Sequence, residues 1–162
     1  MLSEISHDLL RRIDRELPAL NAFSPERAAE KPGNGGWSPK EELGHLIDSA
    51  ANNHVRFVNA ALGPEYRGPG YAQNDWVSIH DYQGMPWEAI VSFWYEYNRL
   101  LARAVERIPA QQLSIPCFIG SAAGPVTLGF AIEDYVLHMR RHIDHLLQRS
   151  AITQYPSALP SP

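Results

Sequence analysis

Ile5, Leu9, Ile13 and Leu17 recur at a strict four-residue interval, with Leu10 and Leu20 beside that stripe. A period close to 3.6 commits the start of the chain to an amphipathic helix. Three later segments repeat the rhythm, so four apolar stripes must be buried against one another, and the compact solution is an all-α four-helix bundle. The first helix is expected from Ser3 to Leu20, with Pro18 and the Ser24-Pro25 pair as its punctuation. The second has the sharpest start. Ser38-Pro39-Lys40-Glu41 is a capping box, in which the Ser38 hydroxyl accepts from the Glu41 N–H and the Glu41 carboxylate bonds back. Pro39 suits the first helical position, where no N–H is needed. This helix should bury one seam through Leu43, Ile47, Ala50, His54, Phe57 and Ala61 and stop before Gly63-Pro64.

Residues 63–84, rich in Gly, Pro, Tyr and Asn, read as a long ordered connection. The third helix is expected from about Pro86 to Ile108, with a stripe of Ile90, Phe93, Trp94, Tyr97, Leu101 and Val105. Residues 109–126 read as irregular, with a short extended piece from Ile115 to Ile119. The fourth helix is expected from Thr127 to Ser150, and the tail from Tyr155 to Pro162, with little to bury, should fray. With no repeat and no sign of a second domain, residues 1–154 are expected to form a single domain. A second helix of roughly 25 residues is about 37 Å long, and the 63–84 link can run back along it at about 3.3 Å per residue. An up-down-down-up order, with the second and third helices parallel, is thereby allowed.

The 162 residues suit one ordinary domain with a real core. A net charge of −4, from 14 Lys+Arg against 18 Asp+Glu, gives no basic face for a polyphosphate, so nucleic acid is not an expected partner. Arg140 and Arg141 read as a solvated flank. The acidic, amphipathic N-terminus is unlike a signal peptide, and no apolar run is long enough to cross a bilayer. The single cysteine, Cys117, excludes an internal disulfide and fits a reducing compartment, so a cytoplasmic location is expected.

Three of the seven histidines cluster in Tyr135-Val136-Leu137-His138-Met139-Arg140-Arg141-His142-Ile143-Asp144-His145. Positions 138 and 142 differ by one turn plus about 40°, and position 145 returns to within about 20° of 138, so all three share a face. Two imidazoles at i, i+4 can reach one ion, and zinc or nickel suits neutral imidazole nitrogen. The same spacing also occurs as a plain polar stripe. A third ligand must come from elsewhere, and the candidates are His45, His54, His80 and His7. His54 lies on the apolar seam and reads as a core histidine bonded to a neighbour. His80 falls in the long connection, and His7 lies among surface charges. His45 heads a separate stripe with Ser49, Asn52, Arg56 and Asn59, which suits either surface or the wall of a polar pocket. Periodicity does not choose among them.

The stretch Gly36-Trp37-Ser38-Pro39-Lys40-Glu41-Glu42-Leu43-Gly44-His45-Leu46-Ile47-Asp48-Ser49, followed by His54-Val55-Arg56-Phe57, resembles the second-helix signature of the DinB/YfiT-like family. The segment at 135–145 resembles that family's last-helix motif, and Tyr71 to Trp76 falls where YfiT-like members carry an aromatic loop. The resemblance is strongest over 36–82 and 127–149. It implies an up-down-down-up four-helix bundle, often a homodimer, in which His45, His138 and His142 hold one divalent metal ion, with His145 outside the ligand set.

The resemblance also implies either of two activities, a metal-dependent hydrolase or a transferase that uses a low-molecular-weight thiol as cosubstrate. Either acts on a small molecule. A hydrolase needs a general base, for which Asp48 and His80 are the candidates; Asp48 could equally orient an imidazole or pair with Arg56. A transferase needs polar groups for the thiol's carboxylates, which Asn52 and Arg56 could supply, with Tyr71, Trp76 and Tyr82 closing over the groove. Cys117, between Pro116 and Phe118, reads as buried and inert. The alternative is a non-catalytic metal-binding stress or sensor protein. Structural zinc is usually closed by four ligands with cysteine common, so three histidines favour an open, catalytic site.

Overall fold

The computed structural model describes residues 2–33, 35–122 and 124–154, so the tail from Tyr155 to Pro162 lies outside the described residues. Four long helices carry the architecture: α1 (Leu2–Asn21), α3 (Pro39–Leu62), α5 (Trp87–Glu106) and α6 (Leu128–Leu146). Between them lie two short helices, α2 (Pro25–Ala29) and α4 (Gln73–His80), two 3-10 turns (Tyr82–Gly84 and Ala110–Ser114), and three short strands. A four-helix arrangement alone is therefore too simple. The fold is all-α with a small added sheet.

Side-chain contacts fix the helix directions. The Ser6 hydroxyl donates to the Ala102 carbonyl and the Trp87 indole to the Leu20 carbonyl, so α1 and α5 run antiparallel. Ser38 meets Gln83 near the start of α3, and His54 meets Tyr97 further along, so α3 and α5 run the same way. Glu42 meets His142 while Phe57 meets Tyr135, so α6 runs opposite to α3.

Local chemistry explains most boundaries. The capping box at Ser38 is present in both directions, and Gly63 follows the last residue of α3. Such a cap contributes on the order of 1 kcal/mol. Pro18 does not stop α1, because the helix continues past it and Ala22 N–H still reaches the Pro18 carbonyl at 3.2 Å. Ser24-Pro25 instead starts α2, with the Ser24 hydroxyl accepting from Arg27 N–H. The fourth helix ends at Leu146 rather than Ser150. Gln148 turns into the left-handed region at φ 53°, and Arg149 N–H caps the Asp144 carbonyl.

The expected loop at 63–84 is largely structured. β1 (Tyr66–Gly68) pairs in parallel with β2 (Pro116–Ile119), which pairs antiparallel with β3 (Val126–Thr127). This sheet ties the two long connections together, and the extended piece expected at 115–119 is its central strand. Helix α4 and the turn after it cover the outer face of α3. Gly44 permits that approach, since a Cβ there would meet Tyr82 Cδ2 at 2.1 Å. As a result residues 43–50 are buried on every side, rather than along the single seam that periodicity suggests. The α5 stripe holds except at Phe93, which is exposed and stacks on Tyr97.

Candidate metal centre

α3 and α6 face each other through histidine. His45 Nε2 lies 3.2 Å from His138 Nε2, and one ring nitrogen from each of His45, His138 and His142 falls within 4.8 Å of the others. Tetrahedral zinc with Zn–N bonds of about 2.0–2.1 Å would set its nitrogens about 3.3 Å apart. The donor set therefore fits a single divalent ion with little adjustment.

The surroundings hold these rings ready. His142 Nδ1 is 3.0 Å from Glu42 Oε1, which orients the ring and leaves Nε2 for the cluster. His138 Nδ1 is 3.5 Å from Ser49 Oγ. The Trp37 ring packs against His45 at 4.8 Å and against His142 at 6.4 Å, forming an apolar back wall. His45 is fully buried, and its Nδ1 has no hydrogen-bond partner among the described residues. Burial, followed by the neighbouring His142 and His138, pushes the His45 pKa down to about 2. Burial, with His142 and Arg141, pushes His138 down to about 3. Both rings are neutral at physiological pH and offer lone pairs, which is the state a metal requires.

His138 and His142 form part of one wall of a cavity of about 610 Å³, which also takes in Ser49, Asn53, Arg56, Tyr71, Asp134 and Arg141. Asp134 stands one turn before His138. Burial raises the Tyr71 hydroxyl to about 12, so it remains a neutral donor. The floor comes from the two connections, at Gly70 and at Ile119 to Ala122.

Other expected site residues fall elsewhere. Asp48 is buried and accepts from the Tyr82 hydroxyl at 2.7 Å, with His80 Nδ1 at 2.8 Å from the same oxygen. Burial raises the Asp48 pKa, against the opposing pull of Tyr82 and His80. Asp48 thus orients an imidazole rather than pairing with Arg56, and neither Asp48 nor His80 is among the residues lining the cavity. Asn52 also turns away, donating to the Asp48 carbonyl, while Asn53 occupies the cavity wall. Positions 45, 49, 53 and 56 climb α3 by four, four and three residues, the last three of them lining the cavity, which is a truer stripe than the one through Asn52. Asn59 is exposed. Of the three aromatic residues, Tyr71 lines the cavity and Trp76 packs on Tyr71 and His80, whereas Tyr82 is locked in the core. His145 and His7 are exposed, and His54 bonds Tyr97. Cys117 is buried on β2, its thiol pushed up by burial. Arg141 is a cavity residue and not a solvated flank. Glu42, which contacts His142, and Asn53, Asp134 and Arg141, which line the cavity, were missed by sequence reasoning; the one available signal was their helical offset from the histidines.

Known proteins share the sequence profile and the fold of this chain. The sequence profile of the family described as the DinB superfamily matches residues 8–146. A protein of Oceanobacillus iheyensis named "Putative metal-dependent hydrolase OB0782" is 22% identical over 113 residues, 70% of this chain. The chain spans 64% of that relative's length. The structure of YfiT from Bacillus subtilis, described as a probable metal-dependent hydrolase with an unusual four-helix bundle topology, superposes with a TM-score of 0.80. That match covers 90% of this chain and 84% of YfiT at 18% identity, which establishes a common fold. No helix among the described residues is long and apolar enough to cross a membrane.

Proposed function

The chain belongs to the DinB superfamily, and we propose that it is a metal-dependent enzyme acting on a small molecule, with His45, His138 and His142 as the ligands of one zinc or nickel ion. The observation that carries this reading is the convergence of three imidazoles on one point beside a cavity of about 610 Å³, a size suited to a small organic molecule. When bound, a divalent ion with three protein ligands supplies Lewis acidity, making water or a thiol nucleophilic near neutral pH. Glu42 and Ser49 hold the ligand rings, and Trp37 closes their rear. Asp134 is the proposed general base, because it is the carboxylate lining the cavity one turn from His138. Asp48 and His80, the bases expected from sequence, are instead proposed to fix α4 against α3. The Tyr71 hydroxyl is placed to donate to a substrate oxygen.

Both relatives are named as hydrolases, so hydrolysis is the proposed reaction. Thiol S-transfer is the second reading, favoured by the two arginines in the cavity wall, which suit an acidic cosubstrate. Residues 1–154 are proposed to act as one domain. The exposed Val55, Val58 and Leu62 of α3 with Phe93 and Leu100 of α5 are proposed as a homodimer face.

Elemental analysis of wild type beside His45→Ala and His142→Ala tests the site. About one ion per chain, lost in both variants, is the expected result; an ion retained in both would reject these ligands. Ester, amide and thiol-plus-electrophile panels on the loaded protein then separate the reactions. Asp134→Asn should abolish turnover at unchanged metal content. If Asp48→Asn did so instead, in a protein of unchanged melting temperature, the base would be reassigned to Asp48 and His80.

A further inference from the structure

Arg56 is a buried charge with no carboxylate counter-charge among the described residues. The residue is 9% exposed and lines the cavity. Its Nη1 reaches Asn53 Oδ1 at 3.4 Å and its Nη2 the Pro69 carbonyl at 3.3 Å, both long for bonds from a cation. Its Nε is buried without a hydrogen-bond partner, and no carboxylate among the described residues forms an ion pair with it. A guanidinium left this way costs folding free energy, since buried charges normally find a partner. The chain spends that stability on a group that faces a cavity, where a ligand can complete it.

The rest of the lining has the same sign. Arg141 adds a second positive charge and Asp134 is the one carboxylate among the lining residues. The charged groups thus sum to one net positive before any metal ion is counted. Distance sets the ligand's length. His45 and Arg56 are roughly 16 Å apart along α3 at 1.5 Å per residue. The arginine side chain leans back toward the helix N-terminus, which brings the guanidinium to on the order of 10 Å from the histidines. The planar guanidinium offers a carboxylate parallel N–H donors in a fixed geometry, so it can be held by two bonds at once.

We propose that Arg56 is the subsite for a terminal carboxylate on an elongated substrate or cosubstrate whose reacting group lies at the three histidines. The proposal deepens the metal-site reading above and rests on it. It excludes compact anions such as acetate as true substrates, because they cannot span the cavity.

Two probes separate the claims: octanohydroxamate, which grips a metal ion and ends in a methyl group, and suberic monohydroxamate, of the same chain length but ending in carboxylate. In calorimetric titration of zinc-loaded protein, the carboxylate is expected to tighten binding roughly tenfold or more over the neutral chain. Arg56→Met should remove that gain while the neutral probe binds as before. Arg56→Lys, which keeps the charge but loses the fork, should recover part of it. A three-carbon carboxylate probe, too short to reach, should gain little. Equal binding of the two long probes to wild type overturns the anion subsite and leaves the metal site standing. Failure of both probes against zinc-loaded protein overturns the two together. A phosphonate-ended chain that binds tighter than the carboxylate overturns the assignment of ligand class. Zinc content and melting temperature report the folding of each variant; should Arg56→Met not fold, Arg56→Lys and the chain-length series in wild type decide the matter.

Discussion

Helix α6 carries two polar clusters on opposite sides, and they are built to different rules. Toward α1, Asp144 accepts from Arg149 at 2.9 Å and from the Thr153 N–H at 2.8 Å, with the Thr153 hydroxyl also bonded to it. Arg149 also grips Glu16, so the chain beyond α6 is clasped back onto α1. Toward α3, two positions earlier, His142 joins His138 and His45, where like groups face like and His45 Nδ1 is left without a partner. A saturated cluster stabilises a fold by itself, whereas an unsaturated one is complete only with a ligand. The contrast separates a clasp from a site.

The largest expected effect tests that contrast directly. In metal-loaded protein, stripping the ion or making His142→Ala should cost about 4 kcal/mol when free metal stands a thousandfold above its dissociation constant, a drop of roughly 10 °C in melting temperature. The clasp should behave independently of metal. Asp144→Ala strands Arg149 and the Thr153 donors and should cost about 3 kcal/mol whether or not the ion is present. Calorimetric melts of both variants, with and without metal, give the comparison. A metal-dependent cost for Asp144→Ala would show that the two sides of α6 are coupled.

Acid should separate the clusters by pH window. His45 and His138 have folded pKa values pushed down to about 2 and about 3, below their ordinary 6.5. The unfolded chain therefore takes up these protons first as pH falls, so their contribution to metal-free stability is whole above pH 6.5 and erodes steadily below it. Burial pushes Asp144 up, but the Thr153 and Arg149 bonds outweigh it and hold the carboxyl below its ordinary 3.8. Its contribution is intact above about pH 4 and is lost only as pH falls further. Metal-free melting temperature should then decline from pH 6.5 downward, and Asp144→Asn should flatten only the portion below pH 4. A flat profile between 6.5 and 4 would contradict the neutral histidine cluster.

The same contrast explains how much of the molecule could be read in advance. The Ser38 box, the stop at Gly63 and the His138–His142 spacing depend on residues within one or two turns, and local rules describe them. Helix α4 was invisible because eight residues with Gly, Pro and Asn around them cannot hold a helix alone; Val77, buried in the core, and the left-handed cap at Asp81 make it. The choice of Asn53 over Asn52 depends on which face of α3 the second connection covers, and a helix buried all round gives no stripe to mark it. The Arg149–Glu16 pair of the clasp and the Glu42–His142 contact join residues far apart in sequence, so no periodic pattern announces them. That His45 stands opposite His138 and His142 followed from likeness to a family and not from spacing.

Glu42 offers the smallest and most discriminating test. Its carboxylate contributes twice, once to His142 and once as an acid in the first turn of α3. Glu42→Gln keeps an oxygen for the His142 Nδ1–H but removes the charge that makes the ring a better donor to metal, and loss of such a partner typically weakens affinity tenfold to a hundredfold. The conservative amide should sit near the lower figure, about tenfold, and Glu42→Ala nearer the upper one. Metal-free melting should fall only by the helix-terminus contribution, about 0.3–1 kcal/mol. Competition titration with a chelator reads the affinity, and a melt in excess chelator reads the fold. If both quantities fell together in metal-free protein, Glu42 would belong to the same class as Asp144, a structural clasp, and His142 would be held for the bundle's sake rather than for a ligand's.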